Sequence, residues 1–524
     1  MLWKTTLLQF AALSSVHANT IATSNHARSD QLRWGACDVD DPSLQCANLT
    51  VPMDYTDPDS DATIQLHLLK VPAVRTPKKG SILFNFGGPG LEARHSLAGL
   101  SKRILALTGG DYDLIAHDPR GVAKTFTASC FNTSEERMAG PYAAMSSVAD
   151  PEDRLALSTL WGASLALGNA CYDYPSFQDK GPNLGTVFTA RDLMQIVDAV
   201  EGDGLLRYWG LSYGTALGAT VAAMFPDRID RMILDSVVNP HQFYNYYDTE
   251  IWADADMVFS SFIKECLKAP EHCGFSHRNS TAFDIEKDIY NMIDSLKTEA
   301  LAAGDQVVDS AIVRSFIRFS LYSPSSYSYL SRALDLLLSN NAAGFMEIYN
   351  ENLAEGFLAT VAQDESAFAI PCSDKIAPQQ TFTELGEIFT ELNGESRLLG
   401  SSGSGLAMIC ANWRFQAKER YTGNFESKTK HPLLVIGNRY DSATALRCAQ
   451  NVTASFEDSV LVEHGGFGHG SWSQGSACTS KIIRSYFAEG TLPEYGTICE
   501  PDYGPFEPKT IDDVLKDIGF MDGE

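Results

Sequence analysis

Gly210-Leu211-Ser212-Tyr213-Gly214 is the one G-x-S-x-G match in the chain. Flanking glycines permit a strained turn that lifts a serine hydroxyl toward a substrate, with no Cβ in the way. A serine hydroxyl is a weak nucleophile near neutral pH. It needs a base to take its proton and an acid to orient that base. Where the serine sits on a strand-to-helix turn of an open α/β sheet, acid and base follow it in the order Ser, Asp, His. Asp441, after Gly437-Asn438-Arg439-Tyr440, and His469, within Gly466-Phe467-Gly468-His469-Gly470, stand in that order. His464 is the rival base. It follows its strand almost directly, whereas His469 sits on a glycine-rich loop able to reach Ser212.

Acyl transfer also needs donors for the developing oxyanion. The backbone N–H of Tyr213 is one candidate. The second is Gly88, in Phe86-Gly87-Gly88-Pro89-Gly90, which follows an apolar run. Asp118-Pro119-Arg120-Gly121 precedes the serine and reads as a structural turn beside the site.

These groups need a scaffold. Ser81–Phe86, Tyr112–Ala116 and Met232–Leu234 are short apolar runs ended by turn signals, the pattern of strands covered on both faces. Thr63–Val71 alternates like a half-buried antiparallel strand. Leu205–Trp209 leads into the serine turn, and the small-residue stretch Thr215–Met224 suits a helix lying close on a sheet. Leu193, Ile196, Val197 and Val200 recur at helical spacing. Strand-helix alternation over residues 19–239 predicts an α/β fold with a mostly parallel central sheet and helices on both faces. Residues 240–430 read as a helical insertion, with Asp254–Leu267, Phe283–Leu301 and Leu330–Ser339 as its better helices. Gly400–Gly405 reads as a flexible loop there. The α/β pattern resumes over 431–524, with Pro432–Gly437 and Ser459–Val462 as strands. Asp441 and His469 then lie on loops leaving the carboxyl ends of strands, where ligands bind in open sheets.

With 44% apolar and 20% charged residues the chain is neither disordered nor fibrous. Its 66 acidic against 40 basic residues, with no basic run, argue against nucleic acid or anionic membrane as partners. The 11 cysteines are spread out rather than grouped in metal-site spacing, so no metal or other cofactor is expected. Met1–Ala18 reads as a signal peptide cleaved after Ala18, and no later apolar stretch is long enough to span a bilayer. A secreted, extracellular protein is expected. Asn48, Asn132, Asn279 and Asn451 head glycosylation sequons, and an oxidising compartment favours disulfides whose connectivity the spacing leaves open.

Gly87-Gly88-Pro89-Gly90, Asp118–Gly121, Gly210–Thr215, Phe225-Pro226-Asp227-Arg228, Leu234-Asp235, Gly468-His469-Gly470 and the ending from Cys478 to Cys499 together resemble a known family. It is the secreted α/β-hydrolases of the proline iminopeptidase and tripeptidyl aminopeptidase type, with a TAP-like C-terminal segment. The resemblance implies an α/β-hydrolase fold with a large helical cap over a Ser212–Asp441–His469 triad. It also implies disulfides Cys37–Cys46, Cys130–Cys171, Cys266–Cys273, Cys372–Cys410 and Cys478–Cys499, with Cys448 unpaired. Three stretches depart from the family's pattern: Leu91-Glu92, Val122-Ala123-Lys124 and Ser442-Ala443-Thr444.

The function expected is a serine aminopeptidase releasing short peptides or single residues from free N-termini. It would need a carboxylate for the substrate ammonium. Glu250 and Asp254, with Asp248 and Asp256 beside them, and Glu92 near the glycine loop, are candidates. The same triad acting on a small-molecule ester or lactone is the alternative, and a binding protein on a hydrolase fold is a third. Substrate side chains and oligomeric state are not written in the sequence.

Overall fold

The computed structural model describes residues 32–39, 41–139, 153–355, 365–375 and 381–522. The expected signal peptide lies outside them. One ten-stranded sheet runs β1 (Gly35–Ala36), β2 (Gln45–Pro52), β3 (Thr63–Val71), β5 (Asp113–His117), β4 (Ser81–Asn85), β6 (Leu206–Ser212), β7 (Ile229–Val237), β10 (Leu434–Tyr440), β11 (Val460–Phe467) and β12 (Ile498–Cys499). The first three strands are antiparallel, as is the β3–β5 pair. From β5 to β12 every pairing is parallel.

The apolar runs have a simple cause: both faces of the parallel strands are covered. Leu83, Ile115, Tyr208, Met232, Leu234 and Val435 join one core, with the helices Thr186–Val200, Tyr213–Met224 and Leu446–Ser455. Ile82, Phe84, Leu114, Trp209, Ile233, Leu434 and Ile436 join the other, with Ala93–Thr108 and Ala477–Glu489. Alternate residues of one strand thus enter opposite cores, so apolar side chains run along both faces. The helix after Ser212 lies close on the sheet because its residues are small. A Cβ on Gly218 would come 2.6 Å from a Leu234 methyl.

Between β7 and β10 the described residues are mainly helical and build a third core. In Ala255–Lys268 the buried positions Ala255, Val258, Phe259, Phe262, Ile263 and Cys266 follow helical periodicity. The helix expected to reach Leu301 ends at Ser295, and a small hairpin follows, β8 (Leu301–Ala303) and β9 (Gln306–Val308), turning at Gly304 with φ +67°.

Two expectations need correction. The cap does not come from 240–430 alone. The helix Arg154–Asp173 and residues Cys130, Phe177 and Leu184 belong to the same helical core, so an earlier excursion between β5 and β6 contributes to it. Arg154–Asp173 crosses Ser402–Asn412 so closely that a Cβ on Gly168 would come 2.5 Å from the Asn412 carbonyl oxygen. Second, Gly400–Gly405 is not a flexible loop. It starts the helix Ser402–Asn412, and a Cβ on Gly400 would come 1.8 Å from the Leu392 carbonyl oxygen. Small residues here serve close approach. Five disulfides join Cys37–Cys46, Cys130–Cys171, Cys266–Cys273, Cys372–Cys410 and Cys478–Cys499, and Cys448 is a buried thiol.

Candidate active site

Ser212 ends β6 and precedes the helix Tyr213–Met224 with φ 54° and ψ −125°, a conformation that strains any residue with a Cβ. The flanking glycines are sterically required. A Cβ on Gly210 would lie 2.2 Å from the Gly214 carbonyl oxygen, and one on Gly214 would lie 2.4 Å from that of Asn85. Gly87, at the end of β4, abuts the same turn, since its Cβ would meet the Ser212 Cβ at 2.7 Å. The serine hydroxyl makes no hydrogen bond to the described residues, and catalytic hydrogen bonds often tighten only when substrate binds.

Asp441 leaves β10 fully buried, and His469 leaves the neighbouring strand β11 with its ring 14% exposed. Asp441 Oδ2 lies 2.9 Å from His469 Nδ1 and accepts from the Thr444 hydroxyl at 2.8 Å. Its Oδ1 accepts from the backbone N–H groups of Ala443 and Thr444 at 2.8 and 3.0 Å. The carboxylate is therefore locked by four contacts. Burial opposes charge on the imidazole, but the charge and hydrogen bond of Asp441, reinforced by Asp235, raise its pKa above the ordinary value. His464 is held elsewhere. It lies within β11, touches Thr479 Oγ1 at 2.9 Å and the Gln474 carbonyl at 3.0 Å, and burial pulls its pKa down to about 4.

Three residues to which the sequence assigns no role brace the His469 loop. Asn438 Nδ2 donates to the carbonyls of Gly468 and Gly470, both at 2.9 Å, so it straddles the histidine. The Tyr322 carbonyl accepts the His469 N–H at 2.8 Å, and its ring meets the imidazole edge to face at 5.0 Å. Asp235, ending the apolar part of β7, accepts from Ser471 N at 3.0 Å and Ser471 Oγ at 2.6 Å. A polar residue closing a buried strand was the available signal for Asp235 and Asn438. Tyr322 offers none, because it arrives from the cap.

Gly87 N–H is engaged with Asn85 Oδ1 at 3.0 Å. Gly88 is exposed with φ +97°, and its N–H, like that of Tyr213 at the first position of its helix, has no acceptor among the described residues. Both are free to meet an oxyanion, and an orphan N–H at a helix start favours negative charge. The Tyr213 side chain is anchored: its hydroxyl lies 2.8 Å from Thr186 Oγ1, which donates to Asp374 Oδ2 at 2.6 Å.

The acids expected to bind a substrate ammonium are mostly engaged in the fold. Glu250 accepts from Asn239 Nδ2 at 2.7 Å and Asn451 Nδ2 and pairs with Arg447 at 3.3 Å. Asp254 accepts the Leu446 N–H at 2.9 Å, and Asp256 holds Ser396, Arg397 and Leu398. Asp248 pairs with Lys375 at 2.6 Å. Glu250 and Asp254 are thus engaged within the fold, and removing either from its partners would leave buried polar groups unpaired. Glu92, just before the helix Ala93–Thr108, has no side-chain partner among the described residues. Asp118 is buried beside Arg94, and burial raises its pKa to about 6. Of the sequon asparagines, Asn48 and Asn279 are exposed and carry no side-chain hydrogen bond, while Asn132 bonds Glu136 and Asn451 bonds buried Glu250.

Among the described residues no group of three or more metal-ligating side chains occurs and no helix is long and apolar enough to cross a membrane.

A family model described as alpha/beta hydrolase fold matches residues 80–283, and one described as TAP-like protein matches residues 396–499. Tripeptidyl aminopeptidase of Streptomyces lividans is 25% identical over 501 residues, covering 93% of this chain and 89% of that one. Serine protease Hip1 of Mycobacterium tuberculosis is 24% identical over 496 residues, covering 89% and 91%. Putative hydrolase YuaR of Escherichia coli is 23% identical over 467 residues, covering 86% and 87%. With both halves of the sheet matched and similarity spanning most of the length, the chain is a TAP-like α/β-hydrolase, a member of the serine hydrolases.

Proposed function

We propose that the chain is a secreted aminopeptidase that releases short peptides from free N-termini through Ser212, His469 and Asp441. The observation that carries this reading is the 2.9 Å Asp441–His469 contact at the ends of two adjacent strands of the sheet in which β6 ends on the strained Ser212 turn. Ser212 Oγ attacks the scissile carbonyl while His469 Nε2 takes its proton. The Gly88 and Tyr213 N–H groups hold the oxyanion. His469 then protonates the leaving amine, and water resolves the acyl-enzyme. The names of the Streptomyces and Mycobacterium relatives support a peptide substrate, and five disulfides support an oxidising compartment. Glu92, the expected acid left without a partner, is the candidate for the substrate ammonium.

The test uses one peptide amide with a free and with an acetylated N-terminus, a short-chain ester, and Ser212→Ala as control. We expect turnover of the free peptide alone among the two, and none by Ser212→Ala. Equal cleavage of the acetylated peptide would rule out an aminopeptidase. Turnover of the ester only would move the assignment to an esterase.

A further inference from the structure

We propose that the cap contains a carboxylate-binding subsite, built on Arg318 and the hydroxyls of Ser401, Ser402 and Ser404, that takes an acidic group of the substrate. The proposal rests on the peptidase reading and narrows the substrate class.

Arg314 and Arg318 lie one turn apart on the helix Ser310–Ser320 and so share a face. Arg314 Nη1 donates to the carbonyls of Arg397 and Leu398, both at 2.7 Å, which directs that face toward the segment entering the helix Ser402–Asn412. One turn on, the Arg318 guanidinium lies 5.0 Å from the centre of the Trp252 ring and 5.3 Å from that of Phe319. The Trp252 indole nitrogen in turn abuts Gly403, where a Cβ would come within 3.2 Å. Arg318 and the Ser401–Ser404 turn therefore border the same tryptophan.

Four polar atoms in this neighbourhood are buried with no hydrogen-bond partner among the described residues: Arg318 Nε and the hydroxyls of Ser401, Ser402 and Ser404. Ser401 and Ser404 are 2% and 0% exposed. The backbone N–H groups of Ser402, Gly403 and Ser404 are already bonded to Leu399, Gly400 and Ser401, so the hydroxyls are the donors on offer. Buried polar groups are ordinarily satisfied, which makes four orphans, on Arg318 and at the start of one helix, a departure.

The charge is equally out of pattern. Three buried arginines, Arg120, Arg137 and Arg207, each pair with a carboxylate: Asp192, Glu365 and Glu201. Arg318 pairs with none among the described residues, although acidic residues outnumber basic ones 66 to 40. Aromatic faces compensate a cation only in part. A carboxylate would satisfy the guanidinium fork and can accept from a serine hydroxyl beside it, whereas a neutral amide or an ammonium would leave the charge unmet. Arg318 and Ser402 are half-buried rather than sealed, so a ligand has an approach. The position suits a substrate group. Four residues after Arg318 comes Tyr322, whose phenol hydrogen-bonds the Arg318 guanidinium and whose ring packs on His469.

The test compares wild type, Arg318→Met, Arg318→Lys and Ser404→Ala on a neutral peptide amide and three relatives of it. One carries glutamate in the released piece, one carries glutamate in the leaving piece, and one has a free C-terminal carboxylate. We expect wild type to favour one carboxylate-bearing peptide by roughly tenfold or more in kcat/KM, and that arm identifies the source of the group. Arg318→Met keeps the stem on Trp252 and should erase the preference through KM, leaving the neutral peptide within about twofold. Arg318→Lys should restore it in part, and Ser404→Ala should weaken it. Absence of preference in every arm, or an equal loss on all peptides, would overturn the subsite. Should wild type cleave no peptide, the peptidase reading fails, and thermal unfolding with glutarate reads the subsite by itself. A rise in Tm for wild type that Arg318→Met lacks supports it, and no rise or an equal rise overturns it.

Discussion

Asp441→Asn is the sharpest test of the triad because the structure dictates how the new amide must sit. Oδ1 of Asp441 faces two backbone N–H donors, from Ala443 and Thr444, at 2.8 and 3.0 Å. An NH2 group cannot occupy that position without donor facing donor. The amide nitrogen is therefore driven to the Oδ2 position, where it meets the Thr444 hydroxyl and His469 Nδ1. The hydroxyl can rotate to accept. The imidazole can accept at Nδ1 only by moving its proton to Nε2, which removes the lone pair that must take the Ser212 proton. The fold is preserved while the base is locked in the wrong tautomer, and in a Ser-His-Asp triad that change lowers kcat by about 10⁴-fold. The loss corresponds to roughly 5.4 kcal/mol in the barrier. Single-turnover and steady-state kinetics on the free peptide would measure it, with circular dichroism confirming an unchanged fold. A kcat within tenfold of wild type would refute the assignment and turn attention to Asp235, the other carboxylate whose charge reaches His469.

Two predictions concern pH. Since the base must be neutral and its pKa is raised above the ordinary histidine value, kcat/KM should climb with pH to a midpoint above about 6.5, and a midpoint below about 6 in the pH–rate profile would contradict the Asp441–His469 pairing. Burial raises Asp374 to about 7 even though Thr186 bonds its charged form. A carboxyl with a raised folded pKa stabilises when protonated, fully below about 4 and progressively less up to about 7. Tm should thus rise as pH falls across that window, and Asp374→Asn should flatten the rise in scanning fluorimetry; an unchanged slope would remove Asp374 from the account.

The elements that carry the proposed triad were legible because their signals are local. The turn at Ser212 needs its glycines within two residues, and Asp441 and His469 follow apolar runs that read as strand ends. The His464 alternative falls to burial, since a histidine inside β11 with two bonded nitrogens cannot face the serine. What the sequence did not reveal depends on partners far along the chain. Arg154–Asp173 joins the cap only through residues such as Asn412, and glycine and serine at 400–405 look alike whether a segment is loose or tightly packed. The candidate acids show the same limit: Glu250 and Asp254 are acidic in sequence, but only the folded chain shows them committed to Asn239, Arg447 and Leu446.

The strand order has a bearing on synthesis. Ile233 of β7 pairs with Leu434 of β10, so two neighbours in the sheet are separated by the whole later part of the cap. Closing so long a connection is slow compared with local contacts. Until it closes, an emerging chain carries Ser212 with neither its acid nor its base, both of which arrive on the far side of that junction. On the proposed triad, a chain emerging from its N-terminus carries a nucleophile that is inert by topology alone, and hydrolysis would begin only when β10 and β11 dock.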